Sequence, residues 1–436
     1  MKSHSKGLGK YGSLLVLYCF LTFLIFSLGN GTMNVAVALF EERNGWNQTY
    51  LLSLQSIGAW TAILFIFIIG QLYGKGKIKL RKLILSAGCL YAVGIFLWGQ
   101  LTNLILFTCA FIVCYIAYPL WGTLGNHSLI NNWFPRKKAL VTGITTIGFP
   151  LGTGLGSIVF TVLNRKLGFS NAYIVLGVAA LVICLFGFFT FSEYPEQRGQ
   201  FPDNDHNMTK EQAKAILEEG QRLSENSPWT IKRLLRTKEV WLLGISNAYL
   251  FAIASGCMGT MVPRLLSTGR YSPDQAVVYL MIAAFCACPG SFLCGFIAHK
   301  TSPKTGLIFT ILSCVLACIM NIIPSTPLLV ISLILIGIGT GGSANFIMSM
   351  TSEYWGRYNF QKAYPTVLTI NQLVGSGGPM LMAVVAAKAN WDVSYIVMAV
   401  LGVAATIIAL PIKKGFVERA EERFAKESFT TAESLI

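Results

Sequence analysis

The chain has 436 residues, 54% of them hydrophobic and only 12% charged, with a mean hydropathy of +0.59. Soluble domains carry about 25% charged residues, so the composition excludes an ordinary soluble globular protein. The formal net charge of +15 would fit a nucleic-acid partner, but the placement of the basic residues excludes that reading.

Stretches free of Asp, Glu, Lys and Arg mark the predicted membrane spans in chain order: 11–40, 44–74, 83–135, 139–164, 167–192, 240–263, 275–299, 305–352, 363–387 and 393–412. A spanning helix needs about 20 mostly apolar residues. Two stretches are long enough for two spans each, dividing at Gln100 to Asn103 and at Pro324 to Pro327. The prediction is an all-α membrane protein of twelve transmembrane helices. The first run is too long for a signal-peptide core and reads as a retained helix.

The predicted organisation is a six-helix bundle over 1–192, a linker over 193–237, a second six-helix bundle over 238–412 and a tail over 413–436. The halves repeat weakly. GQLYGKGKIKLRK begins at Gly70 and GFIAHKTSPKTG at Gly295, 225 positions later. ALVTGITTIGFPLGTG from Ala139 and AYPTVLTINQLVGSGG from Ala363 are offset by 224. Near-equal offsets are the mark of a duplicated unit. In the linker, Thr209 and Gln212 are placed to form a capping box for an amphipathic run from Lys210. The charged tail is expected to be partly disordered.

With the N-terminus in the cytoplasm, 28 of the 34 Lys and Arg residues fall on the cytoplasmic side and 6 outside: Arg43, Arg165, Lys166, Arg264, Arg270 and Lys388. The positive-inside rule then predicts that both termini and the linker are cytoplasmic. It also accounts for the net charge without nucleic acid. The 11 cysteines sit mostly in apolar runs. Cys286, Cys288 and Cys294 have no adjacent His or carboxylate, so neither a metal nor any other cofactor is expected. The glycine-rich pieces at 152–156 and 339–343 lack a following Walker lysine and read as close helix contacts. A small-molecule solute and the lipid bilayer are the expected partners, and the chain is expected to be a monomer.

The twelve spans, the long linker and the glycine-basic loops at Gly70 and Gly295 resemble the major facilitator superfamily. In the first loop Lys75, Lys77, Arg81 and Lys82 supply the charge, while Gly74 and His299 stand where that family's motif has an aspartate. Three segments, GWNQTYLLSLQS, NNWFPRKKALVTGITTIGFPLG and EYPEQRGQFPDND, are similar to the oxalate:formate antiporter and monocarboxylate-porter branch. The resemblance implies a secondary transporter of small organic solutes, with carboxylates favoured. Oxalate transporters hold their substrate on basic residues in the eighth and eleventh spans. Here Asp274 to Ala298 and Ala363 to Ala387 contain no Lys or Arg. That spacing of charge fits a monoanion held by amides and hydroxyls, or equally a neutral or zwitterionic solute.

The resemblance also implies that spans 1, 4, 7 and 10 line the cavity. Their candidates are Asn30 and Asn34, Tyr118 and Trp121, Asn247 and Tyr249, and Asn345, with Trp60 from the second span and Asn371 and Gln372 from the eleventh. For each, an interhelical hydrogen bond is the competing reading. His127 is the only imidazole well within a span, a candidate for proton coupling or a neutral histidine near the headgroups. Arg264 could meet an incoming anion at the outer mouth or serve as an interfacial anchor. Gly70, Gly154, Gly295 and Gly378 are candidate gating contacts between helices. A membrane enzyme would need a catalytic set such as paired interfacial carboxylates, and none is visible. A transport-like solute sensor is the remaining alternative.

Overall fold

The computed structural model describes residues 7–207 and 209–433, and every regular element among them is helical. Lipid offers no partner for backbone N–H and C=O groups, so apolar segments must satisfy them internally as helices. The first half holds α1 (Gly9–Asn44), α2 (Gln48–Gly74), α3 (Leu80–Trp98), α4 (Leu104–Trp133), α5 (Lys138–Leu167) and α6 (Phe169–Thr190). The second holds α7 (Lys238–Cys257), α8 (Pro273–Lys300), α9 (Pro303–Ile322), α10 (Thr326–Gly342, resuming at Asn345), α11 (357–388) and α12 (Trp391–Ala409). Among the described residues, eleven stretches are long and apolar enough to cross a membrane, and Thr326–Gly342 is a shorter twelfth.

Short polar residues start several of these helices. Asn103 Oδ1 accepts from the amides of Ile105 and Leu106 at 2.9 and 3.1 Å, fixing the start of α4 at the predicted division. Asn47, Ser302 and Asn390 do the same for α2, α9 and α12, and Ser272 forms a capping box with Gln275 for α8. Such caps satisfy donors that the first turn leaves orphaned. The run from α10 into α11 is broken at Gly356, whose φ of 68° is the left-handed backbone that glycine adopts without strain.

One end of the molecule carries the start of α1, the loops at 75–79 and 134–137, the linker, Gly356 and the tail. We call it the basic end. The linker contains a helix, Lys210–Glu225, capped reciprocally by Thr209 and Gln212. Part of the tail expected to be disordered is packed. Phe416–Glu433 is helical, and Phe416, Val417, Ala420 and Phe424 are buried. Its anchor is Trp229 of the linker, whose Nε1 donates to Glu421 at 2.6 Å and whose ring meets Trp355 and Phe424 edge-on. Burial of these aromatic rings stabilises what composition alone leaves loose.

Candidate functional site

Two of the sequence motifs converge at the basic end. In NNWFPRKK, the Trp133 Nε1 donates to the Ser192 carbonyl and the Asn132 amide to the Glu193 carbonyl, both at 3.1 Å. The backbone amides of Arg136 and Lys137 donate to the Asp203 carboxylate at 2.9 and 3.1 Å. Burial pushes the Asp203 carboxyl up from the usual carboxylate range, against those two amides, which hold it down. These bonds join the first half to the start of the linker and fix the loop after α4 to the stretch after α6.

From this platform the first half is bonded to the second. Arg357 reaches Glu196 with two nitrogens at 2.6 and 2.9 Å, and its Nε donates to the Asn132 carbonyl at 2.8 Å. Both side chains are buried. The rings of Tyr194 and Tyr358 flank the guanidinium at 5.3 and 5.6 Å. Deeper, Asn131 bonds to Ser352 and to the Arg357 carbonyl, and His127 Nδ1 bonds to the Tyr364 hydroxyl. Thr146 Oγ1 lies 2.7 Å from Asn345 Oδ1 and 2.6 Å from Ser291 Oγ, while the Asn345 amide donates to the Ser291 carbonyl at 2.8 Å. Gln71 Nε2 donates to Thr366 Oγ1 at 2.8 Å.

Away from the basic end the halves part. On α2, Leu64 and Trp60 lie seven and eleven residues from Gln71, within about 20° of the same face at 100° per residue. On α11, Leu373 and Met380 lie seven and fourteen residues from Thr366, within about 40° of the same face. All four are more than half exposed: Trp60 66%, Leu64 57%, Leu373 64% and Met380 68%. A face bonded across the halves at Gln71 is therefore open three turns away. Above the seal, the Tyr115 hydroxyl donates to Asn30 Oδ1 at 2.6 Å, joining α4 to α1. Both residues are only half-buried, and the Asn30 amide nitrogen is left to donate. Tyr115 was missed by sequence reasoning; its signal was its place one turn before Tyr118.

The predicted residues are brought together only in part. Asn30 is half-buried beside Tyr115, and Trp60 is exposed on α2. Asn345, His127, Gly70 and Gly295 lie in the seam between the halves, where a Cβ on Gly70 would meet Pro365 Cβ at 2.5 Å. Four of the cavity candidates are buried in packing. Trp121 is fully buried with its Nε1 donating to Tyr18 at 2.8 Å, and Tyr118 stacks on Phe26 with planes 8° apart. Both share a face, as the spacing required, but that face is turned to α1 inside the first half. Tyr249 is buried against Gly402 of α12. Asn247 is buried between α7 and α10, donating to the Leu243 carbonyl and Met350 Sδ. Asn371 is buried in α11 with its amide nitrogen unpartnered, and Gln372 is half-buried beside it. The side chain of Asn34 lies outside the described positions.

Two glycine expectations also change. Gly378 packs on the backbone of Ala252 within the second half, and Gly152 and Gly156 pack on α1 within the first. Gly154, eleven residues beyond Gly143, has no atom within 4 Å of a Cβ position. Arg264 is buried at the far end of the second half, bonded to Asn321 and paired with Asp392 at 2.5 Å. It is therefore not an exposed snorkelling anchor. Among the described residues, no group of three His, Cys, Asp or Glu side chains could hold a metal.

The family model described as Major Facilitator Superfamily matches residues 121–327 and 305–434. The chain is similar to the phosphoglycerate transporter protein of Salmonella typhimurium, 22% identical over 214 residues, covering 47% of this chain and 46% of that one. It is similar to the glycerol-3-phosphate transporter of Haemophilus influenzae, 22% identical over 276 residues, covering 56% and 54%. The chain thus spans about half the length of these curated relatives. A solved structure of a Major Facilitator Superfamily transporter, FucP, in the outward conformation superposes with a TM-score of 0.68 at 14% identity, over 92% of this chain and 98% of that one. That likeness shows the fold.

Proposed function

The chain belongs to the Major Facilitator Superfamily, and on that premise we propose that it carries a small organic solute of one negative charge, of the monocarboxylate type, across the membrane by alternating access. The observation that supports this most is the seam itself. Bonds between the halves close the basic end, while beyond it the same faces of α2 and α11 carry exposed side chains and the Asn30–Tyr115 pair is only half-buried. Rocking the halves about this level would expose a midplane site to either side in turn. The positive-inside rule favours the cytoplasm for the basic end, and under this proposal a closed basic end is the outward-facing arrangement.

The two curated relatives are named for phosphate esters. A phosphate dianion leaving water needs compensating positive charge, because an unpaired buried charge costs several kcal/mol. The stretches 275–299 and 363–387 contain no Lys or Arg, and neither do α1 and α2 at the opening around Asn30 and Trp60. A single carboxylate on amide and hydroxyl donors is easier to accommodate, in keeping with the resemblance to the monocarboxylate-porter branch. The exposed Trp60 indole favours a second reading, a neutral or zwitterionic solute with an apolar or cationic part against the ring.

Uptake by proteoliposomes tests the assignment. Radiolabelled lactate, glycerol 3-phosphate and a neutral sugar are offered to the wild type and to Asn30→Ala. Saturable lactate uptake that the variant loses supports the proposal. Uptake of glycerol 3-phosphate alone overturns the charge argument, and uptake of the sugar alone establishes the second reading.

A further inference from the structure

The far end of the second half holds a polar cavity of about 620 Å³ that belongs to neither the seam nor the opening between the halves. The segment 264–271 between α7 and α8, the ends of α9 and α11 and the starts of α10 and α12 line it, with Arg264, Arg270, Asn321, Asn390, Trp391 and Asp392 among the lining residues. Arg264 is only 7% exposed. Its Nε donates to Asn321 Oδ1 and its Nη2 to the Asn321 carbonyl, both at 3.1 Å, and Nη2 also pairs with Asp392. The Tyr395 ring lies 5.5 Å from its guanidinium carbon. Nη1 is left without a bond on a side chain that lines the cavity. Asn390 spends Oδ1 on the Val393 amide at 2.9 Å, so its amide nitrogen is also left to donate. Arg270 lines the same cavity and is exposed.

The charges count two guanidinium groups against one carboxylate, and Asp392 is itself half in solvent, with 52% of its side chain exposed. A buried cation held by neutral acceptors and one water-accessible carboxylate is undercompensated. The cavity volume is within the usual range of small-molecule sites, about 300–1,000 Å³. We propose that this cavity is an anion site that takes a small organic monocarboxylate on Arg264 Nη1, the Arg270 guanidinium and the Asn390 amide. The choice of solute rests on the proposed function, whose carried solute is a monoanion of the same class. The phosphate of an anionic lipid headgroup shares the oxyanion chemistry. The soluble carboxylate is favoured because one negative charge neutralises the site and the walls are loops and helix ends rather than a groove along a helix.

The full chain in phosphatidylcholine nanodiscs is titrated with benzoate and followed by saturation-transfer NMR. The exposed variant Arg270→Gln weakens binding about tenfold, the worth of one charge-assisted hydrogen bond, and Arg264→Gln removes it. Asp392→Asn, which takes away the internal competitor, tightens it. Asn30→Ala leaves this component unchanged, so loss of uptake in that variant and loss of benzoate in the arginine variants report separately on the two sites. If Arg264→Gln does not fold, Arg270→Gln and Asp392→Asn carry the test. Benzoate binding that is the same in all the arginine and aspartate variants overturns the site. Binding abolished when phosphatidylglycerol replaces part of the neutral lipid assigns the cavity to a headgroup and overturns the carboxylate.

Discussion

Gly143 of α5 and Gly295 of α8 meet backbone to backbone: a Cβ on Gly143 would lie 2.9 Å from the Gly295 Cα and 2.9 Å from the Ser291 carbonyl oxygen. No other residue allows the two halves to close this far, because the contact is with main chain, which cannot rotate away. The bonds of Thr146 to Ser291 and Asn345 depend on that approach.

Gly143→Leu and Gly295→Leu should therefore wedge the basic end open. Transport falls by at least about tenfold, the equivalent of 1.4 kcal/mol, and a cysteine at Thr366 becomes reactive to a reagent applied from the basic end. Gly154→Leu should behave differently. It leaves the basic end sealed, since nothing lies within 4 Å of its Cβ position, and impedes closure on the opposite side. Equal reactivity at position 366 in all three variants would refute this division.

The Arg357–Glu196 pair predicts an asymmetric charge effect. Arg357→Gln strands a buried carboxylate, a loss of about 3–5 kcal/mol when one partner of a buried pair is removed. The expected result is a population shifted toward the state open at the basic end, read as a change in spin-label distance between the loops at 134–137 and 356. Glu196→Arg combined with Arg357→Glu should restore part of the wild-type distance distribution. A double variant no closer to wild type than Arg357→Gln would argue against a direct pair.

His127 bonds to Tyr364 across the seam, and its imidazole is fully buried. Acting as a structural hydrogen bond, it should tolerate Gln, which keeps a donor and an acceptor. Solute exchange in liposomes is expected to continue without a pH gradient, and His127→Gln to keep most of it. Uptake that collapses with the proton gradient and vanishes in this variant would make His127 the coupling residue.

Tyr115→Phe removes the hydroxyl that holds Asn30 but leaves the ring. KM is expected to rise several-fold, in line with the roughly 1 kcal/mol of one hydrogen bond, while turnover stays near wild type. An equal fall in kcat would mean that the pair works in the conformational step instead.

Orientation is read by labelling single cysteines with an impermeant maleimide on intact cells. A cysteine at Lys214 in the linker helix should be protected and one at Arg270 labelled. The reverse pattern would invert the assignment of the basic end.

Where spans begin and end was legible because charge and short polar caps record the membrane boundary one residue at a time. Asn103 both marks the division of the charge-free run 83–135 and caps α4. Which neighbour a face meets was not legible. Spacing places Tyr118 and Trp121 together but is silent on whether α1 or an open cleft lies opposite. Local sequence gave still less at the seam. Asn131 and Ser352, or Thr146 and Asn345, are bonded across about 200 residues of chain, and each looks like an ordinary polar residue in a membrane helix. The tail is a related case: its charges suit solvent, and its four buried apolar residues, Phe416, Val417, Ala420 and Phe424, acquire meaning only once Trp229 and Trp355 supply a surface.

The bonded seam bears on kinetics as well as on architecture. A carrier whose preferred state is shut at the basic end offers only a minor fraction of its molecules to solute arriving from that side, and apparent affinity is reduced by that fraction. Detailed balance prevents a passive carrier from accumulating solute on this account, so maximal velocity must differ between the two faces in compensation. The half-saturating concentration on the basic side is then set by the hydrogen bonds of Thr146, His127 and Arg357, none of which needs to touch the solute.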